Sequence, residues 1–378
     1  MRFKTILFFA ICSAMVSSCS TNYQEEKKVL LSKNDNPDLV TSFELDKTQA
    51  ENYKAISEEE AKAKAEKDAA EAKAKPAPKK PLSKKEKAKL DKEAKVAAEP
   101  KKTTTLEPKT AAAKAVPINL LPANYPEDFK KYDEKSKAVW GKFKPSFYQG
   151  EESIMAVSYL GVTAGYITIL SKEVAVLNTK SVFHYYARFK SSDAYRYFYW
   201  LDDKLDTYVE KTDFLPMKYS LVQREKKQNV DDLQLFDFKK MMTYSWYKRV
   251  KEGSNKDEKL EAMIPSLAQD SFSALQFVRG LPLIKGDIYE FPVITRGQFW
   301  LLKVEVMGPD TTSVNGKDVD SIKIRAETKF PGVLQKSGDI NFWYGTGPER
   351  KLLKFQAKIK LGSLYGELVE YKSGTLVK

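Results

Sequence analysis

Lys354-Phe355-Gln356-Ala357-Lys358-Ile359-Lys360-Leu361 carries an apolar residue at every second position. Side chains of a strand point alternately to its two faces, so this stretch reads as a β-strand with one buried and one wet face. Ser321-Ile322-Lys323-Ile324-Arg325 repeats the pattern. Outward from these two segments, the chain after Pro117 offers candidate strands at 152–160, 165–171, 181–190, 205–210, 216–225, 232–239, 242–249, 288–294, 299–307, 311–314, 320–330, 340–344, 352–361 and 365–371. Turn signals lie between them: Gly161-Val162-Thr163-Ala164-Gly165, Val314-Asn315-Gly316-Lys317 and Leu361-Gly362-Ser363. Short strands without long intervening helices predict a mainly β domain over 117–378, an antiparallel and strongly curved sheet or barrel-like fold. One or two short helices interrupt it, at 192–201 and at 270–281. In the second, Asp270 is placed to cap the helix and Gly280 to stop it. Residues 126–139 read as a short polar lead-in with helical character.

The region before this domain has a different composition. Lys47–Ala115 holds 19 Lys against 12 acids, with few larger apolar residues: Tyr53, Ile56, Leu82, Leu90, Val96 and Leu106. Such a segment cannot bury enough apolar area to offset its ordering entropy. Ser57-Glu58-Glu59-Glu60 and Ser83-Lys84-Lys85-Glu86 are capping boxes opening two Lys/Ala/Glu runs, which Pro76, Pro78 and Pro81 separate. Residues 19–116 are therefore expected to form a low-complexity tether, disordered or partly helical; its Lys could draw it to anionic lipid headgroups or cell-wall polymers, but the alternating signs favour a solvated spacer.

The N-terminus reads as an address. Arg2 and Lys4 precede the apolar run 6–15, and small residues Ser17-Ser18 follow, the pattern of a signal peptide over 1–18. The run is half the length of about 20 residues that a spanning helix needs. Val16-Ser17-Ser18-Cys19 resembles the lipobox of bacterial lipoproteins. That resemblance implies cleavage before Cys19, acylation of Cys19 and attachment to a lipid bilayer. Val16 and Ser18 stand where Leu and Gly or Ala are commoner. Ser20, rather than Asp, favours the outer membrane under the enteric sorting rule, facing the periplasm or the surface.

Composition removes several function classes. The formal net charge is +13, with two cysteines and one histidine. Cys12 and Cys19 both lie at the N-terminus, so a disulfide scaffold, a zinc finger, a cysteine protease and a His-rich metal site are excluded from the folded part. No P-loop, dinucleotide fingerprint, HExxH or nucleophile elbow appears, and no metal or cofactor is expected. Export and the lack of a binding motif argue against nucleic acid.

Three places could carry chemistry. His184 lies among aromatics on a candidate strand, where a lone histidine is more often a satisfied structural residue than a general base. Asp202 and Asp203, with Asp206 and Glu210 beyond, offer paired carboxylates; the plainer reading is that they end the preceding helix and start a strand on a wet face. Tyr195-Arg196-Tyr197-Phe198-Tyr199-Trp200 is an aromatic cluster, from which Tyr195, Tyr197, Tyr199 and Trp200 are candidates to bind a lipid or sugar. The plainer reading there is a helix plugging one mouth of a curved sheet.

The order Tyr148-Gln149-Gly150-Glu151, Val157-Ser158-Tyr159-Leu160-Gly161, Ala164-Gly165, Asp202-Asp203, Leu215-Pro216 and Asp270-Ser271-Phe272-Ser273-Ala274-Leu275 resembles the DUF3108 family. So do Arg279-Gly280-Leu281-Pro282-Leu283, Gly286-Asp287, Gly316 with Ile322-Lys323-Ile324, Asn341-Phe342-Trp343, Leu361-Gly362-Ser363 and Glu367-Leu368. The resemblance spans 144–371 and implies an exported bacterial domain, mostly β, without an established activity. The chain departs from it at Gly345-Thr346-Gly347-Pro348-Glu349-Arg350, where a polar Asp would be expected.

Two functions from different classes follow. One is a non-enzymatic envelope lipoprotein whose β domain binds an apolar or amphipathic ligand, a lipid or glycan among them, or a partner protein. It predicts an apolar cavity lined by aromatics and free of paired acids. The other is an envelope polysaccharide or peptidoglycan hydrolase, which predicts two carboxylates about 5–9.5 Å apart in a cleft.

Overall fold

The computed structural model describes residues 53–58, 60–63, 66, 121–329, 336–359 and 362–377. The signal peptide, the lipobox with Cys19 and most of the Lys/Ala/Glu segment lie outside those residues. The described residues fall into two compact units, 53–56 with 121–377 and 57–66. In the second unit, residues 58, 60–63 and 66 are helical, within the first run opened by a capping box.

The first unit is mainly β. Its chain order begins with β1 (Ile56–Ser57), helix α1 (Glu127–Trp140), β2 (Tyr148–Gln149), β3 (Glu152–Tyr159), β4 (Val162–Ser171), β5 (Ala175–Leu177) and β6 (Lys180–Ser191). It continues through β7 (Asp202–Glu210), β8 (Pro216–Arg224), β9 (Gln228–Asp237), β10 (Met242–Lys251), β11 (Lys256–Met263) and β12 (Gln269–Asp270). Helix α2 (Ser273–Arg279), β13 (Ile288–Thr295), β14 (Gln298–Val314), β15 (Lys317–Lys329), β16 (Lys336–Gly345), β17 (Leu352–Ile359), β18 (Gly362–Lys372) and β19 (Thr375–Leu376) complete it. From β3 one arc of hydrogen-bonded neighbours runs β4, β6, β7, β8, β9, β10, β11, and the other runs β18, β17, β16, β15, β14, β13, β12. The arcs meet at β11 and β12, so the sheet follows a closed, barrel-like circuit. Most pairings are antiparallel hairpins between sequence neighbours; β18 with β3, β4 with β6 and β19 with β2 pair antiparallel across longer separations, and β12 with β13 is parallel.

The alternating segments behave as their pattern predicts. In β17, Leu353, Phe355 and Ala357 are buried while Lys354 and Gln356 face outward. Asn315 and Gly316 both adopt positive φ, 51° and 73°, the turn that Asn-Gly favours between two strands. Three expectations are corrected. The Gly161–Gly165 stretch is not all turn: Leu160 and Gly161 make a two-residue turn with φ of 50° and 79°, and β4 starts at Val162. The separate strands at 299–307 and 311–314 are one strand, β14, because the register shift between Val306 and Gly308 absorbs an extra residue without breaking the pairing. β11 was not foreseen, since its first six residues are exposed and Lys-Asp-Glu-Lys-Leu-Glu shows no apolar period.

The interior is filled by aromatic side chains. Trp140, Phe147, Phe183, Tyr185, Phe214, Phe277, Phe291 and Tyr344 are all fully buried. Phe147 stacks on Phe183 at 4.3 Å and Phe143 on Phe277 at 4.3 Å. α2 lies inside this core, with Phe277 also 4.3 Å from the Trp140 ring. Gly280 ends α2 where a side chain could not fit: a Cβ there would stand 2.2 Å from the Phe143 ring and 2.4 Å from the Lys144 carbonyl. Asp270 does cap the helix, accepting from the N–H groups of Phe272 and Ser273 at 2.7 and 2.8 Å. α1 carries Glu127 and Asp128 in its first turn and Lys137 in its last, matching the helix dipole. Buried Asp133 fixes it, accepting from the Tyr125 hydroxyl at 2.6 Å and the Ser266 N–H at 2.9 Å.

One segment expected to be tether belongs to the folded unit. On β9, Leu233 and Leu235 point away from the main core, yet both are fully buried, packed with Tyr53, Val222, Tyr244 and Trp246. Tyr53 and Ala55 also cover Ala175, Leu177, Val182 and Met217. Lys218 donates to the Tyr53 carbonyl at 3.4 Å, and burial pushes the Tyr53 phenol up to about 12.

Candidate functional site

β6 ends at Ser191 and β7 begins at Asp202, and the chain between them carries the aromatic cluster. A helix over 192–201 does not form. Ser191 donates its N–H to the Leu201 carbonyl at 3.1 Å, closing the base of the loop and leaving the residues between to reverse direction. They do so through a single 3₁₀ turn, Tyr195–Tyr197. Hydrogen bonds from three elements hold it. Ser191 Oγ donates to the Tyr199 carbonyl, Ser192 Oγ donates to the Thr163 carbonyl, and Lys226 donates its N–H to the Trp200 carbonyl.

This clamp sorts the aromatics. Tyr199 turns inward against the core and donates its hydroxyl to Glu225. Tyr195 and Trp200 are half-buried. Tyr197 and Phe198 point outward, 82% and 76% exposed. The cluster therefore does not plug the barrel; that interior place belongs to α2. Phe198, absent from the sequence candidates, is as prominent as Tyr197.

Asp202 and Asp203 cap no helix; they do start a strand, as the first two residues of β7, but on opposite faces, so only Asp202 is on the wet one. Asp202 faces outward in a two-pronged ion pair with Arg188, at 2.7 and 2.5 Å. Asp203 faces inward and is buried, accepting from the Arg224 N–H at 2.9 Å. Asp206, back on the outer face, bonds His184 Nε2 at 2.5 Å. The strand period of two thus separates the three acids instead of gathering them.

Asp203 instead meets Glu225, which follows β8. Gln223 Nε2 donates to both, at 3.2 Å each, and Glu225 also accepts from Tyr199 and from Gln228 at 3.3 Å. Burial pushes both carboxyls above their ordinary range, and the Glu225 charge raises Asp203 further. Among the described residues no cation pairs with either. Two carboxyls buried together without a cation hold a proton between them. Both are buried and share the Gln223 amide, whereas a glycosidase pair flanks an open cleft. Glu225 was missed because Arg224-Glu225-Lys226-Lys227 reads as a solvated turn.

His184 lies on the outer face of β6, stacked on Tyr208 at 4.2 Å. Burial lowers its basicity against the upward pull of Asp206. With Lys172 3.7 Å from Asp206, the group is a satisfied cross-strand ladder.

A third polar cluster is interior. Arg279, at the end of α2, grips Glu151 with two bonds of 3.0 and 2.8 Å, while Tyr371 donates to Glu151 at 2.9 Å. Arg279 also donates to Gln276 Oε1 at 3.0 Å and to the Glu349 carbonyl at 2.6 Å. A cavity of about 20 Å³ adjoins this pair, lined by Ser153, Ser171, Leu275 and Tyr344 among others. That is room for about one water, not for an organic ligand. Among the described residues no group of three His, Cys, Asp or Glu side chains is placed to hold a metal.

The pairing of Glu151 with Arg279 joins two of the stretches on which the family resemblance was read, 148–151 and 279–283. A model of DUF3108, a protein family of unknown function, matches residues 155–369, more than half of the chain. The chain belongs to the DUF3108 family. At 345–350, where it departs from the family pattern, Arg350 donates to the carbonyls of Arg279 and Leu281, tying down the end of α2. No curated protein matches this DUF3108 chain. Among solved structures it is similar to a beta-barrel-like protein of the DUF1849 domain of unknown function from Brucella abortus. That similarity has 12% identity and a TM-score of 0.39, covering 59% of this chain and 97% of the other. A candidate lipoprotein from Parabacteroides distasonis matches at 10% identity and a TM-score of 0.29, covering 61% of this chain and 99% of that one. A candidate exported protein with a YmcC-like fold from Bacteroides fragilis gives 11% and 0.29, covering 61% and 98%.

Proposed function

We propose that this DUF3108 chain is an envelope lipoprotein, anchored through acylated Cys19, whose barrel is a binding module and not a hydrolase. Its contact surface is the loop 192–200, and its target is an amphipathic ligand or partner reached from outside the barrel. The observation that carries this reading is the pair of outward rings, Tyr197 and Phe198, on a loop whose base is fixed from three sides. Solvent-facing aromatics on a rigid base bind with little ordering cost. The aromatic-lined cavity expected of a ligand held inside is not seen among the described residues, where side chains pack the core, so the contact is placed on the outside. The hydrolase reading loses support because the inward pair, Asp203 and Glu225, is buried and mutually bonded.

Native mass spectrometry of the protein extracted from cell envelopes tests this. The expected result is an acylated mature N-terminus at Cys19, and a bound amphipathic molecule or protein that Tyr197→Ser with Phe198→Ser removes. A Cys19→Ser variant is expected to leave the membrane fraction in a high-salt wash that retains the acylated parent. Polysaccharide cleavage that survives Asp203→Asn and Glu225→Gln together would defeat the non-enzymatic reading without reinstating the acid pair.

A further inference from the structure

Three turns meet at one end of the barrel: Leu160-Gly161 between β3 and β4, the loop 192–200, and the turn 225–227 between β8 and β9. Ser192 joins the first two, donating its N–H to the Ala164 carbonyl at 3.0 Å and its hydroxyl to the Thr163 carbonyl at 2.9 Å. Lys226 joins the last two through its N–H to Trp200, at 2.9 Å, and its Nζ to the Phe198 carbonyl, at 3.1 Å. The tips of this tied group are apolar. Beside Tyr197 and Phe198 stand Leu160 and Val162, 72% and 57% exposed. Single exposed apolar residues are ordinary, but four held together on adjacent turns make a patch of the kind that marks an interaction site.

The surroundings are cationic. Lys190, Arg196, Lys226 and Lys227 are all exposed on these same turns and strand ends. Of the acids close by, Asp203 and Glu225 are buried, Asp202 is taken by Arg188, and Asp193 stands 3.9 Å from Arg196. Leu160 and Val162 flank one turn, and Tyr197 and Phe198 lie on the loop beside it. Projecting apolar tips inside a basic collar match a surface that is soft, apolar beneath and anionic above.

We propose that this end of the barrel docks on an anionic lipid bilayer. Leu160, Val162, Tyr197 and Phe198 enter the headgroup layer, and the four cations meet lipid phosphates. Aromatic and aliphatic side chains gain by burial at that depth, and each Lys or Arg adds attraction to an anionic leaflet. The proposal rests on the reading that loop 192–200 is the contact surface, and it names the partner. It does not need the acyl chain, which would only raise the local concentration of bilayer.

The first test uses the mature chain carrying Cys19→Ser, with vesicles of phosphatidylethanolamine and phosphatidylglycerol against vesicles of phosphatidylcholine. Co-sedimentation is expected with the anionic vesicles. Tyr197→Ser with Phe198→Ser should weaken it by about tenfold or more, the loss of roughly one buried side chain's contribution. Lys226→Glu with Lys227→Glu should weaken it comparably. The Tyr197/Phe198 variant should keep the parent's melting temperature, since both rings are exposed, and Lys190→Glu with Lys227→Glu repeats the charge test without removing the Lys226 bond to Phe198. Equal binding of the parent and the Tyr197/Phe198 variant would assign the attraction to the Lys-rich residues 47–115 and overturn the proposal, as would no binding to any vesicle. The second test places a photo-crosslinking phenylalanine at position 198 in the full lipoprotein in its own envelope. A phospholipid adduct supports docking. A protein adduct overturns the bilayer as partner and leaves the contact loop standing, whereas no adduct removes both.

Discussion

Glu151 and Glu225 are buried to the same degree in one barrel, yet their surroundings are opposite in charge. Glu151 faces a guanidinium, which meets both its oxygens, and a tyrosine hydroxyl. Glu225 faces a second carboxyl, two glutamine amides and a tyrosine hydroxyl, with no cation among the described residues. Burial disfavours the Arg279 cation, but the Glu151 carboxylate more than offsets this and holds Arg279 above its ordinary value. At Glu225 the hydrogen bonds from Tyr199 and Gln228 offset burial only in part, so the acid pair relieves its charge by keeping a proton. The first arrangement joins α2 to the strands around it, and its strength depends on charge. The second clamps the aromatic loop, and its strength depends on pH.

The largest effect is expected where the charges are fully paired. Arg279→Leu would leave Glu151 as a buried anion without its cation, and would strip Gln276 and the Glu349 carbonyl of a donor. Removing one partner of a buried ion pair costs about 3–5 kcal/mol, read here from denaturant midpoints. Adding Glu151→Leu should recover part of that loss, because no charge is then left unpaired. A cost below about 1 kcal/mol for Arg279→Leu would erase the contrast between the two sites.

The acid pair should differ in sign as well as size. An acid whose folded value is raised stabilises the fold most below its unfolded value, and that stability is lost as pH rises through the folded value. Asp203 and Glu225 are both raised, so the parent should lose stability as pH climbs above the ordinary carboxylate range near 4. Buried Asp232, pushed up to about 7 by burial against the pull of Arg296, adds a loss of the same sign between about pH 4 and 7. Asp203→Asn should flatten the slope and raise stability relative to the parent at pH 8, by about 1 kcal/mol. Asp232→Asn should remove a separate part of it. A parent whose melting temperature is level from pH 4 to 8 would contradict both assignments.

The two sites were not equally legible beforehand. The β architecture was visible because residues 321–325 and 354–358 keep one wet face, which writes the period of two into the sequence. β11 was invisible for the opposite reason: with both faces exposed at 256–261, nothing selects apolar residues. Asp203 shares a face with Leu205 and Val209, so counting by twos from either would have turned it inward. Its partner could not be found that way, since Glu225 lies in a turn among Lys and Arg and is buried only because Tyr199 folds over it. Glu151 and Arg279 each fell in a motif, but 128 positions separate them, and no local pattern encodes a contact closed by the whole barrel. Tyr53 was noticed as a rare large residue in a polar run; its place over Leu233 and Leu235 depends on an outward apolar face of β9 that alternation alone assigns to water.

The smallest effect sharpens the comparison most, because it tests the acid pair's role without changing any charge. Tyr199→Phe keeps the ring packed in the core and removes only the hydroxyl that Glu225 accepts. Gln228 still donates to the same carboxyl, and a shared proton still relieves the pair, so the loss should be about 1 kcal/mol, that of one hydrogen bond. The loop should report it more strongly than the barrel. With Tyr199 unlatched, limited proteolysis within 192–200 and amide exchange there should speed up while β3 and β18 remain as protected as in the parent. Raising the pH of the parent should move the loop the same way, because ionising both acids sets two negative charges against each other beneath Tyr199. If Tyr199→Phe and alkaline pH left loop exchange unchanged, the clamp would rest on Ser191, Ser192 and Lys226 alone, and the acid pair would be a cost of the fold with no hold on the surface that carries Tyr197 and Phe198.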